Sequence, residues 1–558
     1  MNRRDFLRTS VLGGVALGAG PLSTAASGLS VRLEDSFDLI LKNAVIYDGS
    51  IRKPVRGDLA VKAGKVAAIG NDLGASASRV IDLRGLTVSP GFIDIHSHTD
   101  TALFQCPEGD SRIRQGVTLE VGGNCGGAPF VYSDEEWEKR KGTMRHGYPA
   151  WRDVDGFYDA LSRNRIGINY CSLVGHGDLR DAVVGPYNVK ATDRQLEQMC
   201  EILDRQLSLG AIGLSFGLEY APGCYCDTRE MVALCKVVAK HDALYSIHMR
   251  NEDDRVLEAM DEAIEAARQS GARLEISHLK AQNPANFDKI DQMLAKVDSA
   301  RAEGIDLAFD RYPYTAFYTD MSTFIPTALR DGTKEEVLAR LDDPEACAKM
   351  RKSFYGKLDS YGGADKVLVC ACKHPDNQKY AGRNLVECSE ISGLDEWEFV
   401  RYILKSEKLG VSRATFAMRE ENLHKLYAHP LGMPGSDGGV TSPVGPLSRM
   451  LPHPRYYGTF PRFFEKYVRE TPVLGMAEAI HKCTALPASR LRLKDRGQLV
   501  PGYAADITVF NPDTIADMAT YASPHAFPKG IEYVIVNGRI CVERGKHTGA
   551  LPGEIVRL

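Results

Sequence analysis

Short apolar runs alternate with polar residues in one pattern near both ends of the chain and in another pattern in the middle. Segments 36–90 and 491–558 contain apolar runs broken by Gly and Asp, which predicts β-strands joined by turns. Because both ends share this pattern, we expect them to form one small β-sandwich. Residues 91–490 would then form a larger domain inserted between its two halves.

The middle of the chain alternates apolar runs with amphipathic stretches. Stretch 255–271 has apolar residues at helical spacing and stops at Gly271, and stretch 192–210 begins at a capping Thr192 and stops at Gly210. Both patterns predict helices. Eight apolar runs are strand candidates, and they end in the sequences GFIDIHSH, GVTLEVGGNC, GINYCSLVGH, GAIGLSFGLEY, ALYSIHMR, RLEISHLK, GIDLAFDRYPY and HPLGMPGSD.

Eight strands that alternate with helices predict a closed (β/α)8 TIM-like barrel, which carries its functional residues at the carboxyl ends of the strands. An open doubly wound sheet is the competing α/β fold, but no glycine-rich phosphate motif follows the first strand. The connection between strands seven and eight, about 315–428, is too long for a plain loop and contains helical sequence. We expect it to be an inserted cap that restricts substrate size.

Composition is that of an ordinary soluble protein with a large core. The chain has 558 residues, of which 44% are hydrophobic and 25% charged. The net charge of −4 and the lack of a basic stripe argue against a nucleic-acid partner. The 13 cysteines are an odd number and are mostly scattered singly among apolar residues, which is not the pattern of a regular disulfide framework.

Residues 1–27 resemble a twin-arginine export signal. Arg3 and Arg4 precede a short apolar run, and small residues follow around Ala26, where we expect cleavage. The alternatives are an uncleaved membrane anchor or a chance basic start, but the run is too short to span a bilayer comfortably. We therefore expect the export machinery to deliver a folded protein to a bacterial periplasm, with no stable membrane insertion of the mature chain.

Side chains that can bind a metal recur where the predicted barrel strands end. His96 and His98 end the first strand and face the same side, because alternate residues of a strand do so. The corresponding residues of strands two, five, six and eight are Cys125, His248, His278 and Asp437. One buried histidine is more often structural, but a closed barrel brings all these ends to one mouth. Nitrogen, thiolate and carboxylate ligands together suit Zn2+.

The ordered motifs resemble those of the amidohydrolase superfamily, and within it those of the N-acyl-D-amino-acid deacylases. The motifs are DIHSHTD, VGGNCGG, LVGHGDLR, GLSFGLEYAPG, SIHMRNE, ISHLK, DRYPYTA and GSDGG, and the similarity continues to the end of the chain. The resemblance implies zinc-dependent hydrolysis of an N-acyl-D-amino acid, a small-molecule substrate, to a carboxylate and a free D-amino acid. It also implies one tight zinc and a second, weaker metal position.

The resemblance also implies roles for the metal-binding residues. Cys125, His248 and His278 match the tight zinc site, whereas His96 and His98 match the weaker position, towards which Cys125 can bridge. Asp437 matches an aspartate that binds or faces the metal and shuttles protons in catalysis.

Substrate binding is the role implied for a second group of residues. Tyr220, Lys280 and Tyr312 match groups that hold the substrate carboxylate, and a Lys280–Asp310 pair is the structural alternative for the lysine. His176 matches a residue near the metal that stabilises the oxyanion or supports the metal, with a structural role as its alternative.

Several positions depart from common patterns of the resembling proteins. Strand four lacks the lysine that bridges two metals in many amidohydrolases, which leaves Glu219 as a possible metal ligand, although a loop carboxylate beside Tyr220 is the favoured interpretation. Phe317 and Arg311 replace small hydroxyl and aliphatic residues near the expected substrate pocket. Two other functions stay open: another metal-dependent amidohydrolase, acting on cyclic amides or dipeptides, and a non-catalytic exported binding protein.

Overall fold

The computed structural model describes residues 36–73, 76–449 and 451–558. The predicted export signal, 1–27, lies outside the described residues. Within the described ranges, no helix is long and apolar enough to cross a membrane. All 13 cysteines fall in these ranges, and none of them forms a disulfide there.

Strands from both ends of the chain form one nine-stranded sheet. These strands are Phe37–Ile46, Val55–Lys62, Lys65–Gly70, Ala77–Asp82, Thr87–Pro90, Ile507–Phe510, Ile531–Val536, Arg539–Glu543 and Lys546–His547. The two groups meet where Thr87–Pro90 runs antiparallel to Ile507–Phe510. Apolar side chains from both groups, such as Leu41 and Ile507, share one buried core. The termini thus build a β-domain together, as the sequence predicts.

Eight short strands form the barrel, and they are the eight that the sequence predicts. They are Phe92–Asp94, Val117–Gly122, Asn169–Ser172 continued by Val174–Gly175, Gly213–Gly217, Leu244–His248, Arg273–Ile276, Leu307–Arg311 and Gly432–Pro434. Neighbouring strands pair in parallel. The ring closes beyond the first and eighth strands, where Ser97 pairs with Gly438 and the Asp437 N–H donates to the His96 carbonyl at 2.8 Å.

Helices connect the barrel strands and follow the last of them. They are Asp110–Ile113, Asp134–Arg140, Val154–Asn164, His176–Val183, Asp193–Ser208, Thr228–Lys240, Val256–Ser270, Lys289–Ala302, Glu420–Ala428, Arg455–Phe464, Met476–Cys483 and Ala485–Arg490. A π-helical turn, Glu465–Glu470, continues the helix Arg455–Phe464. A small hairpin pairs Met144–Arg145 with Tyr148–Pro149. Both helices predicted in detail are confirmed. Thr192 forms a capping box with Gln195, and Gly271 ends its helix at φ +76°.

The connection between strands seven and eight is a subdomain with its own core. Strands Ala316–Asp320, Val367–Val369 and Ser412–Phe416 form an antiparallel sheet, joined by helices Lys334–Arg340, Pro344–Tyr361, Leu385–Ser392 and Glu396–Ser406. Phe354, Trp397 and Val400 are buried in this core. The first strand of the subdomain, Ala316–Asp320, lines the cavity at the barrel mouth. The insertion therefore forms part of the wall around the candidate site, as expected of a cap.

Candidate metal centre and active site

A cavity of about 390 Å³ lies at the carboxyl ends of the barrel strands. Nine of the candidate residues line it: His98, Cys125, Glu219, Tyr220, His248, His278, Lys280, Tyr312 and Asp437. His96 is fully buried beside the cavity, with its Nε2 3.4 Å from the Cys125 sulfur. The closed ring of strands thus brings together residues that are more than 300 positions apart in the chain.

Cys125, His248 and His278 converge on one point. The Cys125 sulfur lies 3.5 Å from Nε2 of His278, and Nδ1 of His248 lies 2.9 Å from the same nitrogen. Burial alone would raise the pKa of the Cys125 thiol, but the surrounding histidines hold that pKa well below its ordinary value. A thiolate with two imidazoles in one buried place is a ligand set that suits zinc.

His96, His98 and Asp437 form the other half of the centre. Nε2 of His98 lies 3.0 Å from an Asp437 oxygen, and Nε2 of His96 lies 3.6 Å from that oxygen. The ligand atoms of His96, Cys125, His278 and Asp437 all lie within 4.8 Å of one another. Cys125 therefore lies between the two halves, where one sulfur can contact two metal positions.

Three of these residues have unusual backbone conformations. Cys125, His278 and Asp437 adopt φ angles of +52°, +37° and +51°, in the left-handed region that non-glycine residues rarely occupy. Such a conformation costs about 1–3 kcal/mol per residue and persists only where the surrounding structure imposes it. Its presence at three metal-ligand candidates indicates that the fold sacrifices stability to direct these side chains.

A carboxylate holds each of the three buried histidines from the side away from the shared centre. The pairs are His96 Nδ1 with Asp310 at 3.1 Å, His248 Nε2 with Glu219 at 3.2 Å, and His278 Nδ1 with Glu252 at 3.0 Å. Each contact leaves the opposite ring nitrogen for the centre and fixes the orientation of the ring. Glu219 thus has the position of an orienting carboxylate rather than that of a ligand.

Lys280 lies beside the centre with Glu252 as its acidic partner. Its Nζ is 2.6 Å from a Glu252 oxygen and 2.7 Å from Nδ1 of His278. The alternative partner considered from the sequence, Asp310, is instead bound to His96. Lys280 still lines the cavity, so its ammonium remains within reach of a bound molecule.

Two tyrosines line the same cavity as Lys280. The Tyr312 hydroxyl is buried and has no hydrogen-bond partner among the described residues. The Tyr220 hydroxyl lies 3.1 Å from Oγ1 of Thr319, a residue of the inserted subdomain. An ammonium with two phenol hydroxyls around one space can bind a carboxylate.

Arg455 is a candidate functional residue that the sequence analysis missed. Its Nη1 lies 2.9 Å from an Asp437 oxygen, and its guanidinium lies over the Tyr312 ring, 4.7 Å from the centroid. Burial would raise the pKa of Asp437, but Arg455 and the nearby histidines hold it well below its ordinary value. The HPR sequence around Arg455 is distinctive, yet no spacing rule connects it to Asp437.

His176 does not line this cavity, contrary to its expected position near the metal. Its Nε2 lies 2.8 Å from a Glu230 oxygen in a separate buried cluster that includes Cys226. Arg180 forms an ion pair with the same carboxylate. These contacts correspond to the structural alternative and do not support a role in oxyanion stabilisation.

Comparisons with known proteins agree with the fold and the metal centre. The family model for amidohydrolases matches residues 79–349 and 399–542. An N-acyl-D-glutamate deacylase of Alcaligenes xylosoxydans xylosoxydans is 32% identical over 508 residues, which cover 91% of this chain and 94% of that protein. A D-aminoacylase of the same organism is 31% identical over 522 residues, with 93% and 97% covered. The chain therefore belongs to the amidohydrolase family, in its group of N-acyl-D-amino-acid deacylases.

Two solved structures are similar to this chain, one in both sequence and fold and the other in fold alone. The crystal structure of an N-acyl-D-glutamate deacylase from Bordetella bronchiseptica, complexed with zinc and a phosphonate inhibitor, has a TM-score of 0.79 at 30% identity, with 94% of this chain and 100% of that chain covered. A D-hydantoinase structure has a TM-score of 0.52 at 17% identity, with 93% and 98% covered, which shows a shared fold alone. The resemblance seen in the sequence motifs is thus confirmed.

Proposed function

We propose that this protein is a zinc-dependent hydrolase that cleaves the amide bond of N-acyl-D-amino acids. The products are a carboxylate and a free D-amino acid. The observation that carries the proposal is one cavity that combines a Cys–His–His ligand set, an ionised aspartate and a group that can bind a carboxylate. Two of its relatives carry the names of such deacylases and match more than nine-tenths of the chain.

The donor set fits the proposed metal. Cys125, His248 and His278 would hold the tight zinc, and His96 and His98 would hold a second, weaker metal that shares Cys125 and Asp437 with it. Bound zinc supplies a hydroxide nucleophile at neutral pH and polarises a carbonyl oxygen. The lack of a lysine in Gly213–Gly217 agrees with a centre that Cys125 would help to hold in place of a lysine.

Asp437 is the proton carrier of the proposed reaction. It contacts His98 at 3.0 Å and Arg455 at 2.9 Å, and its low pKa keeps it ionised, so that a carboxylate oxygen is present to take the proton of the attacking water. The same carboxyl group then returns the proton to the leaving amine as a general acid. Arg455 limits how readily Asp437 takes the proton, since it stabilises the charged form.

Lys280, Tyr220 and Tyr312 bind the substrate carboxylate in this proposal. Lys280 and Tyr312 line the cavity together with the zinc-ligand candidates, and the buried Tyr312 hydroxyl has no hydrogen-bond partner among the described residues. Fixing the carboxylate and the scissile carbonyl at two separate points orients the third substituent on the α-carbon. The carboxylate, the carbonyl and the side chain on the α-carbon are then the three points that distinguish D from L substrates. Only one enantiomer can place its side chain in open space while the other two groups stay bound.

The test is a deacylation assay of the zinc-loaded enzyme on N-acetyl-D-methionine, its L-enantiomer and its D-amide. The D-acid should react much faster than the other two. Lys280→Met should raise the Michaelis constant for the D-acid by the equivalent of about 1.5–3 kcal/mol, the contribution of a hydrogen bond to a charged group, and hardly affect the amide. Lys296→Met, on the helix Lys289–Ala302, is the control. Equal rates on D and L forms would exclude the proposal.

Export through the twin-arginine pathway is proposed as well, on the sequence of residues 1–27 alone. Arg3 and Arg4 precede the apolar run that such signals contain. A fusion of residues 1–27 to a reporter should reach the periplasm. Replacing both arginines by lysine keeps the charge and should stop export; unchanged export would contradict the assignment.

A further inference from the structure

Arg311 is a buried cation with no carboxylate partner in the described ranges of the chain. It ends the seventh barrel strand, is 1% exposed, and forms no ion pair with any described residue. Nη2 donates to the Tyr314 carbonyl at 3.0 Å and contacts the Met418 sulfur at 2.8 Å. Nε and Nη1 have no hydrogen-bond partner in the described part of the chain. A buried charge in this state costs free energy.

The guanidinium of Arg311 packs directly on Tyr312. Its central carbon lies 3.9 Å from the centroid of the Tyr312 ring, within the range of a cation–π contact. Two other cations lie near the same ring, Arg455 at 4.7 Å and the Lys280 ammonium at 5.9 Å. Tyr312 is therefore a phenol surrounded by three positive charges, and Arg311 is the nearest of them.

Among these cations, Arg311 alone is not neutralised by a contact with a described carboxylate. Arg455 lies 2.9 Å from an Asp437 oxygen, and Lys280 lies 2.6 Å from a Glu252 oxygen. The uncompensated positive charge beside the Tyr312 ring thus comes from Arg311, which stacks on the ring and is not part of the cavity lining. Such a charge favours a negative group near the ring through Coulomb attraction that burial screens little.

We propose that Arg311 is a positioning residue that acts through Tyr312. It holds the ring by stacking, and its charge makes the hydroxyl of the cavity-lining Tyr312 a better donor to an anion. The anion is the α-carboxylate of the substrate, so this inference rests on the proposed function and assigns a new residue to its carboxylate site. The buried charge of Arg311 lowers the stability of the fold, and through Tyr312 it raises the affinity for the substrate carboxylate.

Arg311→Met is the decisive variant, because it removes the charge and keeps an unbranched side chain. We expect the Michaelis constant for N-acetyl-D-methionine to rise about tenfold, with kcat and zinc content nearly unchanged. We also expect the melting temperature to stay the same or rise, because a buried unpaired charge is removed. Arg311→Lys, which retains the charge, should recover part of the affinity.

Arg413→Met is the matched control. Arg413 is also buried and stacked on aromatic rings, among them that of the cavity-lining Phe317. It has no carboxylate partner among the described residues and does not contact Tyr312. Its replacement should change the Michaelis constant much less than Arg311→Met does. Tyr312→Phe should raise the Michaelis constant as Arg311→Met does, and the double variant should be no worse than the more affected single variant.

Two results would overturn the role of Arg311 while the proposed reaction stands. One is a native Michaelis constant in Arg311→Met, and the other is a fall in melting temperature and kcat with unchanged affinity, which would mark a structural role. Failure of the proposed reaction is recognised separately. In that case the unaltered enzyme does not hydrolyse N-acetyl-D-methionine in the same assay, and the inference falls with it.

Discussion

Two clusters in the barrel domain both contain buried charged residues, but they differ in how completely the protein pairs those charges. In the first, Arg112 forms ion pairs with both Asp94 and Glu120, and all three side chains are fully buried. Further donors of Arg112 reach the carbonyls of Arg455 and Tyr456. This cluster joins the first two barrel strands and the segment after the eighth, and the protein itself supplies the partners of its cation.

In the first cluster, Oε2 of Glu120 is the one side-chain atom of the three residues without a hydrogen-bond partner in the described part of the chain, whereas the second cluster, at the cavity, leaves a hydroxyl and cationic donors without one. Cys125, His278 and Asp437 have strained backbones, and neither the Tyr312 hydroxyl nor two nitrogens of Arg311 have partners among the described residues. The comparison shows two uses of buried charge. Charges that pair with other side chains of the protein stabilise the fold, whereas charged and polar groups without such a partner are available to bind a metal or a substrate. Variants in the two clusters should therefore fail in different ways.

The largest effect is expected for Cys125→Ala. Loss of the thiolate removes the ligand that lies between both halves of the centre, so the variant should purify with little zinc and no activity. Metal analysis and a turnover assay measure both. Cys235→Ala, a buried cysteine in the helix Thr228–Lys240, should keep both properties. A Cys125→Ala protein with full zinc and normal turnover would show that the ligand assignment is wrong.

Arg112→Met tests the satisfied cluster. It leaves Asp94 and Glu120 buried without their cation, so the free energy of unfolding should fall by about 3–5 kcal/mol in urea denaturation. Arg163→Met breaks an exposed pair with Asp159 and should cost at most about 1 kcal/mol. Equal losses in the two variants would remove the distinction between the clusters.

Asp437→Asn should affect catalysis without emptying the tight zinc site. Turnover should fall by about 10²-fold or more, the scale of general acid–base catalysis, because the amide cannot carry the proton. Zinc content should remain high, since Cys125, His248 and His278 are unchanged. A near-normal rate would exclude Asp437 as the proton carrier, and a zinc-free protein would make it a principal ligand instead.

Glu219→Gln is expected to have the smallest effect. The carboxylate orients His248 from behind at 3.2 Å, so its loss should weaken zinc binding by about 10–100-fold and leave the fold unchanged. Competition with a chelator measures the affinity. Glu135→Gln, on the exposed helix Asp134–Arg140, is the control. Unchanged zinc affinity would mean that Glu219 does not orient the ligand.

Much of the barrel could be predicted because its signals are local. A helix such as Val256–Ser270 has apolar residues at fixed spacing and a glycine stop, all within one stretch. The pair His96 and His98 could be placed on one side of a strand for the same reason. Barrel closure then follows from the number and order of the strands, which brings their ends together.

The partners within the site could not be predicted in this way. Lys280 pairs with Glu252, 28 residues away, and Asp310 pairs with His96, 214 residues away. From the sequence, Asp310 was the one acidic partner considered for Lys280. Arg455 and Asp437 meet because the chain returns to the mouth after the eighth strand, which no local spacing reveals.

The sequence by itself determined the order of strands and helices, the insertion, and the types of metal-binding residue at the strand ends. Only the tertiary structure decided which carboxylate faces which cation, that His176 is bound to Glu230, and that Arg311 has no acidic partner among the described residues. The physical reason is the separation along the chain over which each interaction acts. Periodicity and capping act over a few residues, whereas the pairing of buried charges depends on distances between segments that only barrel closure sets.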